Sequence, residues 1–447
     1  MSLKLSKYLK VVEIGNDEYA IFNSLIMRVS YVNSNELNCI KNFNVSEDDI
    51  DKFLQDEIYI EKDQDEDATY TKLTNSQAKI SGDIGVYYLI LTSNCNLACK
   101  YCFLEENQYN NSHVDYMSVE TALKSMRKID AYISEKSLSK VQIIFYGGEP
   151  LLNWDCIVAC VEFGKTSKVD YEFSIVSNGI ALEDSKIKFI VDNNIGLGIS
   201  LDGYKELNDA NRIYKQGTQS VYDDVMKNVT KLDLYNSNYG LSITMSEQFL
   251  DEQDKVLQWL KSLGNKNIFY NPLKDFSEEF DWEEYWARAS AFLIKSHKIL
   301  SQDRIIDGRF QRKIKSFFYN EFKYSDCAAL GGNQLTIKPN GEIIVCHGYL
   351  KTDKYVMANI NDVSIEEAVH NEEFNFWATN TTLLNNDCKE CEAIYICGGG
   401  CPLQAESLFG DRSELDKTAC VYSKSSLKWM LEYGRSLFDK IDNNERQ

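Results

Sequence analysis

The chain has 447 residues, 44% hydrophobic and 26% charged, the profile of a globular protein long enough for two or three domains. Its formal net charge of −20, from 48 Lys+Arg against 68 Asp+Glu, leaves no basic stripe to neutralise phosphates and argues against a nucleic-acid partner. No apolar run is long enough to cross a bilayer, and residues 1–15 lack the uninterrupted apolar stretch of a secretory signal. A cytoplasmic protein with no membrane partner is therefore expected, and in that compartment clustered cysteines read as metal ligands rather than disulfides.

Residues 1–80 read as a small α+β module. It has a hairpin over 8–14 and 19–22 around Gly15-Asn16-Asp17, a strand over 25–31 and a helix over 46–54. The acidic, apolar-poor stretch 61–77 reads as a linker. From 81 to 275 the pattern alternates. Strands are expected over 87–92, 141–146, 171–176, 196–201, 240–245 and 267–270, with helices near 118–133, 154–165, 183–193, 220–235 and 251–263. Six β/α units in succession imply a parallel sheet curled into a partial (β/α)6 barrel, with chemistry at the carboxyl ends of its strands. Residues 276–326 read as an aromatic-rich helical bridge. Residues 327–447 form a cysteine-rich domain closed by an amphipathic helix near 425–441.

Ten of the thirteen cysteines fall into two sets of spacings. Cys95-Asn96-Leu97-Ala98-Cys99-Lys100-Tyr101-Cys102 follows the first barrel strand. Three thiolates on one tight loop can hold three irons of a cubane cluster and leave the fourth iron free. A zinc site there would need a fourth ligand, and only His113 lies near in sequence. The second set is Cys327, then Gly341 and Cys346, then Cys388-x2-Cys391-x5-Cys397-x3-Cys401 and Cys420. Two tetrahedral zinc sites would need eight ligands, which these seven and His347 could supply. Tyr146-Gly147-Gly148-Glu149-Pro150 ends the second strand. Its glycines permit close backbone approach to a ligand, and Glu149 can accept from an ammonium group. Ser177-Asn178-Gly179 ends the third strand and Ser200-Leu201-Asp202-Gly203 the fourth, with Arg212 following; Asp202 and Arg212 also read as a loop ion pair. Cys156 and Cys160, four apart on one helix face, read as small buried hydrophobes, as does Cys39. His297 and His370 read as packing or surface residues.

The CxxxCxφC loop with Tyr101 resembles that of the radical S-adenosylmethionine (SAM) superfamily, and the seven-cysteine pattern resembles its SPASM extension. The likeness spans about residues 87–422. It implies that the free iron chelates SAM, whose reductive cleavage gives a 5′-deoxyadenosyl radical. It also implies that the Tyr146–Pro150 motif meets the methionine amino group. Ser177, Asn178, Ser200 and Asp202 would contact ribose or the methionine carboxylate, and Arg212 is a candidate carboxylate clamp. By position, Cys388, Cys391, Cys397 and Cys420 would ligate a distal auxiliary [4Fe–4S] cluster, and Cys327, Cys346 and Cys401 a proximal one, making three clusters in all. Sulfatase maturases of this class have a further cysteine where this chain has Asn333. The proximal cluster is thus expected to be three-coordinate unless Asp326 or His347 completes it, and an open iron could take a substrate cysteine. The resemblance therefore points to a peptide maturase that acts on a precursor peptide with a leader, supplied with electrons by a flavodoxin or ferredoxin. Its expected product is a cysteine thioether. Carbon–carbon or carbon–oxygen crosslinking, formylglycine formation and a non-catalytic electron carrier stand as alternatives. Residues 1–80 would be either a winged-helix-like leader-binding module or a cap on the barrel.

Overall fold

Alternating apolar residues of the expected strands are buried, and that period of two builds one sheet. The computed structural model describes residues 2–80, 83–102, 115–264, 267–274, 277 and 279–445. The barrel strands are β1 (Val86–Thr92), β2 (Lys140–Gly147), β3 (Asp170–Ser177), β4 (Gly196–Ser200), β5 (Tyr239–Met245) and β6 (Asn267–Pro272). They pair in parallel, each with its neighbour in sequence. Helices α1 (Val119–Glu135), α2 (Trp154–Thr166), α3 (Asp184–Asp192), α4 (Val221–Leu234) and α5 (Gln253–Leu263) return the chain between them. Tyr87, Leu89 and Leu91 of β1, and Val141, Ile143 and Phe145 of β2, share one core with Ala122, Met126, Ile129 and Ile133 of α1. Each such large apolar side chain contributes roughly 1.5–3 kcal/mol by leaving water. Ser118 and Ser220 cap α1 and α4 by accepting from Thr121 N and Asp223 N.

The sheet does not stop at six strands. The two-residue strand β7 (Ile306–Asp307) extends it beyond β6. On the other edge β8 (Gln334–Ile337), from the cysteine-rich region, pairs in parallel with β1, and β9 (Glu342–Ile344) and β10 (Ala358–Asn359) follow antiparallel. The cysteine-rich region is thus continuous with the barrel sheet. Between β6 and β8 lie α6 (Trp282–Leu300) and α7 (Gly308–Phe318), and α8 (Lys417–Glu445) closes the described chain. It starts well before the expected residue 425, so Cys420 stands on its first turn. No described helix is long and apolar enough to cross a membrane.

The amino-terminal module departs from expectation in three places. Its hairpin (Leu9–Gly15 with Glu18–Asn23) forms as read, but the third strand is Ser30–Asn33, not 25–31. Asn23 folds the intervening residues into a turn: its Oδ1 accepts from Leu25 N at 2.9 Å, and its carbonyl from Met27 N at 2.9 Å. A helix over Ser34–Lys41, closed by an Asn33/Glu36 capping box, was not anticipated. The supposed linker contains the helix Ala68–Ile80. Its acidic lead-in is paired rather than solvated: Glu66 with Lys4 at 2.6 Å, and Asp67 with Lys7 at 2.9 Å and Lys389 at 3.3 Å.

Candidate active site

The three-cysteine loop leaves β1 at Thr92 and is held by backbone bonds from three directions. Gly148 N donates to Thr92 O at 2.9 Å and Glu149 N to Asn94 O at 2.8 Å. Ala98 N donates to Ile213 O at 2.8 Å, Lys100 N to Asn211 O at 2.9 Å and Lys215 N to Asn96 O at 3.2 Å. Leu97 N donates to Cys95 Sγ at 3.4 Å. The two glycines therefore have a use that spacing alone does not reveal. A Cβ on Gly147, whose φ is +140°, would lie 2.3 Å from Thr92 O, and one on Gly148 would lie 2.2 Å from Asn94 O. Their bareness lets the β2 turn press against the cysteine loop. His113 lies outside the described residues.

Glu149 is fully buried, and the chain itself supplies three donors to its carboxylate. Oε1 accepts from Leu151 N at 3.0 Å and Ser177 Oγ at 2.9 Å; Oε2 accepts from Asn178 N at 2.8 Å. Burial raises its pKa above the usual carboxylate range, opposed by those hydrogen bonds. Glu149 so locks the end of β2 to the end of β3, and Oε2 retains capacity for a further donor. Asn178 turns its amide to the cysteine loop, donating to Asn96 Oδ1 at 2.7 Å and lying 3.7 Å from Cys95 Sγ. Ser200 ends β4, where it pairs in register with Ser242.

Asp202 and Arg212 form a buried, two-pronged ion pair: Arg212 Nε to Oδ2 at 2.9 Å and Nη2 to Oδ1 at 3.0 Å. Thr244 N also donates to Asp202 Oδ1 at 2.9 Å, and Tyr101 Oη donates to Oδ2. The guanidinium packs 5.5 Å from the Tyr101 ring centroid, with Nη1 4.0 Å from Cys99 Sγ. Burial pulls the Arg212 pKa down, but the charges of Asp202, Tyr101 and Cys99 carry it well above the ordinary value. The motifs from four strand ends thus meet around one loop. The residues that spacing missed are Asn94, Asn96 and Thr244, which make the ties.

The remaining cysteines sort into electrostatic groups. Burial pushes the Cys95 thiol up to about 12, and Glu149, Cys99 and Cys102 push the same way. Cys388 is pushed up to about 12 by burial and by Cys397, Cys391 and Cys420; Cys420 reaches about 11, through burial and then Cys397 and Cys391. Cys346 reaches about 12 through burial, with Cys401 and Cys327 adding to it. Half-buried thiols that repel one another as thiolates fit a polynuclear iron centre, whose positive charge reverses that logic. One cavity is lined by Cys388, Cys391, Cys397, Cys401 and Cys420. Among the described residues, no three His, Cys, Asp or Glu side chains are placed to hold a single metal ion.

Of the two residues offered as a fourth proximal ligand, Asp326 is surrounded by cations, whereas the buried Nδ1 of His347 has no hydrogen-bond partner among the described residues. Burial opposes ionisation of Asp326, but Lys313, Lys323, Arg312 and Arg309 hold it near 2. The His347 ring stacks 4.3 Å from Tyr88 and lies 5.1 Å from Tyr146; burial and Lys274 lower it to about 3. Tyr146 is pushed up to about 12 by burial, with Cys102 and Cys346 both in range. Asn333, where a further cysteine was absent, donates to Asp83 O at 2.6 Å and accepts at its carbonyl from Val86 N at 3.1 Å, tying β8 to the start of β1. Cys156 and Cys160 are buried beneath α2 as expected, and His297 packs against Phe310 and Trp429.

Two family models match this chain: the radical SAM superfamily over residues 89–260 and the SPASM iron–sulfur cluster-binding domain over residues 327–392. The radical SAM cyclopropyl synthase TigE of Paramaledivibacter caminithermalis is 25% identical over 97% of this chain and 90% of its own length. A cysteine-type anaerobic sulfatase-maturating enzyme of Clostridium novyi is 26% identical over 75% of this chain and 91% of its own. Solved structures share the fold. Native anSMEcpe with bound AdoMet and Cp18Cys peptide has a TM-score of 0.66 at 19% identity, over 80% of this chain and 99% of that one. Streptococcus suis SuiB bound to precursor peptide SuiA has a TM-score of 0.56 at 13% identity, over 94% and 99%. Both domains imply [4Fe–4S] clusters and SAM binding. The chain is a radical S-adenosylmethionine enzyme that carries a SPASM iron–sulfur domain.

Proposed function

We propose that this enzyme modifies a ribosomally made precursor peptide and crosslinks a cysteine sulfur to a carbon, giving a thioether. Cys95, Cys99 and Cys102 hold the radical-site cluster. Tyr101, the Gly147–Pro150 turn, Ser177, Asn178, Ser200, Asp202 and Arg212 form the wall that takes SAM. Bound together there, cluster and SAM supply a 5′-deoxyadenosyl radical able to abstract an unactivated hydrogen. In this wall Arg212 is already paired with Asp202, so it acts by orienting that carboxylate and Tyr101 beside the loop, and only its remaining edge is available to a ligand carboxylate.

The observation that carries this reading is Tyr146: it precedes the Gly147–Gly148 turn that presses on the three-cysteine loop, and its ring lies 5.1 Å from that of His347, the neighbour of Cys346. Substrate lodged beside it would face the radical site on one side and the proximal group of Cys327, Cys346 and Cys401 on the other. Asp326 is surrounded by cations and Asn333 is tied to Asp83, so the fourth proximal position falls to a substrate cysteine thiolate or to His347, whose buried Nδ1 has no hydrogen-bond partner among the described residues. Cys388, Cys391, Cys397 and Cys420 hold the third cluster, and a flavodoxin or ferredoxin supplies electrons. The solved relatives with bound peptides support a peptide substrate.

A second reading is carbon–carbon bond formation, favoured by the near-complete coverage by a cyclopropyl synthase. Incubating reduced, reconstituted enzyme with SAM and its precursor peptide separates them. Both products are lighter by two hydrogens per bond, but only a thioether removes a thiol that iodoacetamide can alkylate. A product with its thiols intact overturns the thioether reading; loss of sulfur would instead indicate formylglycine formation.

A further inference from the structure

The segment 380–385 forms one wall of the cavity lined by Cys388, Cys391, Cys397, Cys401 and Cys420, and it places two threonines there in succession. Thr381 and Thr382 are each 3% exposed, and neither hydroxyl has a hydrogen-bond partner among the described residues. Buried hydroxyls left unpaired are costly, and folded interiors rarely keep them. The acceptors in the same wall are few. The Asp416 carboxylate is already taken by Cys401 N at 2.8 Å, by Thr418 N at 3.0 Å and by Thr418 Oγ1 at 2.6 Å. Glu414 stands exposed at the rim. No cysteine Sγ lies within hydrogen-bond reach of either hydroxyl, so the acceptors left to them are the sulfurs of a cluster held in this cavity.

We propose that Thr381 and Thr382 donate O–H···S hydrogen bonds to the sulfurs of the iron–sulfur group held by Cys388, Cys391, Cys397 and Cys420, and that these bonds raise its reduction potential. The inference rests on the reading of that cavity as a cluster site. Reduction adds one electron to a sulfur-rich unit, and donors aimed at sulfur stabilise the more negative state; hydrogen bonding to the sulfurs is one of the established controls of cluster potential. The threonines are positioning residues that act on the cluster's sulfurs and do not ligate iron.

The test is an EPR-monitored redox titration of the anaerobically reconstituted full chain, with iron quantified in each sample. Thr381→Val and Thr382→Val keep the shape and remove the hydroxyl. The double variant is expected to retain its iron and to shift one auxiliary signal to lower potential, by about a tenfold change in the one-electron equilibrium, about 59 mV. The radical-site signal should stay in place. Thr381→Ser and Thr382→Ser restore the donor and should restore the potential. Should the double Val variant lose iron, the single variants are titrated, and each should show part of the shift. An unmoved potential with full iron overturns the inference, as does a Ser variant that shifts as far as Val. Wild-type protein lacking iron at this cavity would instead overturn the cluster reading beneath it.

Discussion

Gly148 shows how a single missing side chain fixes the three-cysteine loop. Its backbone donates to Thr92 O, and a Cβ there would sit 2.2 Å from Asn94 O, against backbone that cannot swing away. Gly148→Ala should therefore displace the loop that begins at Asn94, and anaerobic reconstitution should return a chain short of one cluster's iron. Full iron with undiminished SAM cleavage would contradict that role. The Asp202–Arg212 pair makes a second residue-scale claim. Asp202→Asn leaves a buried guanidinium without its counter-charge, which costs about 3–5 kcal/mol when a buried pair is broken from one side. Chemical denaturation measures it, and a loss below about 1 kcal/mol would place the pair with exposed ones. The cysteine spacings are legible from sequence because thiolates on one loop must converge locally. The partners of Gly148 and Glu149 are not, because Asn94 and Ser177 lie tens of residues away and only the parallel register of β1, β2 and β3 makes them neighbours.

At the scale of elements, strand-and-helix alternation was readable because each buried face repeats with its own period, as Val141, Ile143 and Phe145 do in β2. The acidic stretch before Ala68 was misread because composition does not show pairing partners. Asp67 takes a hydrogen bond from Tyr8 and ion pairs with Lys7 and Lys389, and Tyr70 Oη donates to Leu383 O. These ties bind the amino-terminal module to the loop that carries Cys388. The Tyr8 hydrogen bond, then Lys7 and Lys389, hold the Asp67 carboxyl at about 2, below its ordinary 3.8. Because the folded value is the lower one, the stabilisation is complete above about pH 4 and is lost as pH falls through about 2. Asp67 is partly exposed, so screening limits the effect to roughly 0–1 kcal/mol. Hydrogen exchange should show residues 2–80 loosening over that pH window in the wild type. In Asp67→Asn the same loosening should be independent of pH, and an identical pH profile in both would contradict the tie.

Across the whole molecule, one sheet runs from β7 through the barrel to β10, so the three-cysteine loop after β1 and Cys346 after β9 are carried on the same sheet. No linear motif announces this, since the pairing of β8 with β1 joins residues some 250 positions apart. Nor does it announce the Tyr88–His347–Tyr146 stack, whose members meet only when that sheet forms. Everything proposed for substrate depends on the loop of Cys95, Cys99 and Cys102 holding an iron–sulfur cluster that splits SAM. The most direct measurement combines Mössbauer and iron quantification with a 5′-deoxyadenosine assay on reduced, oxygen-free protein, alongside a variant with Cys95, Cys99 and Cys102 all replaced by Ala. The wild type should contain [4Fe–4S] iron at this loop and release 5′-deoxyadenosine from SAM; the variant should lose one cluster's iron, keep the auxiliary signals and release none. Unchanged iron in the variant, or 5′-deoxyadenosine formed at the wild-type rate, would contradict the assignment.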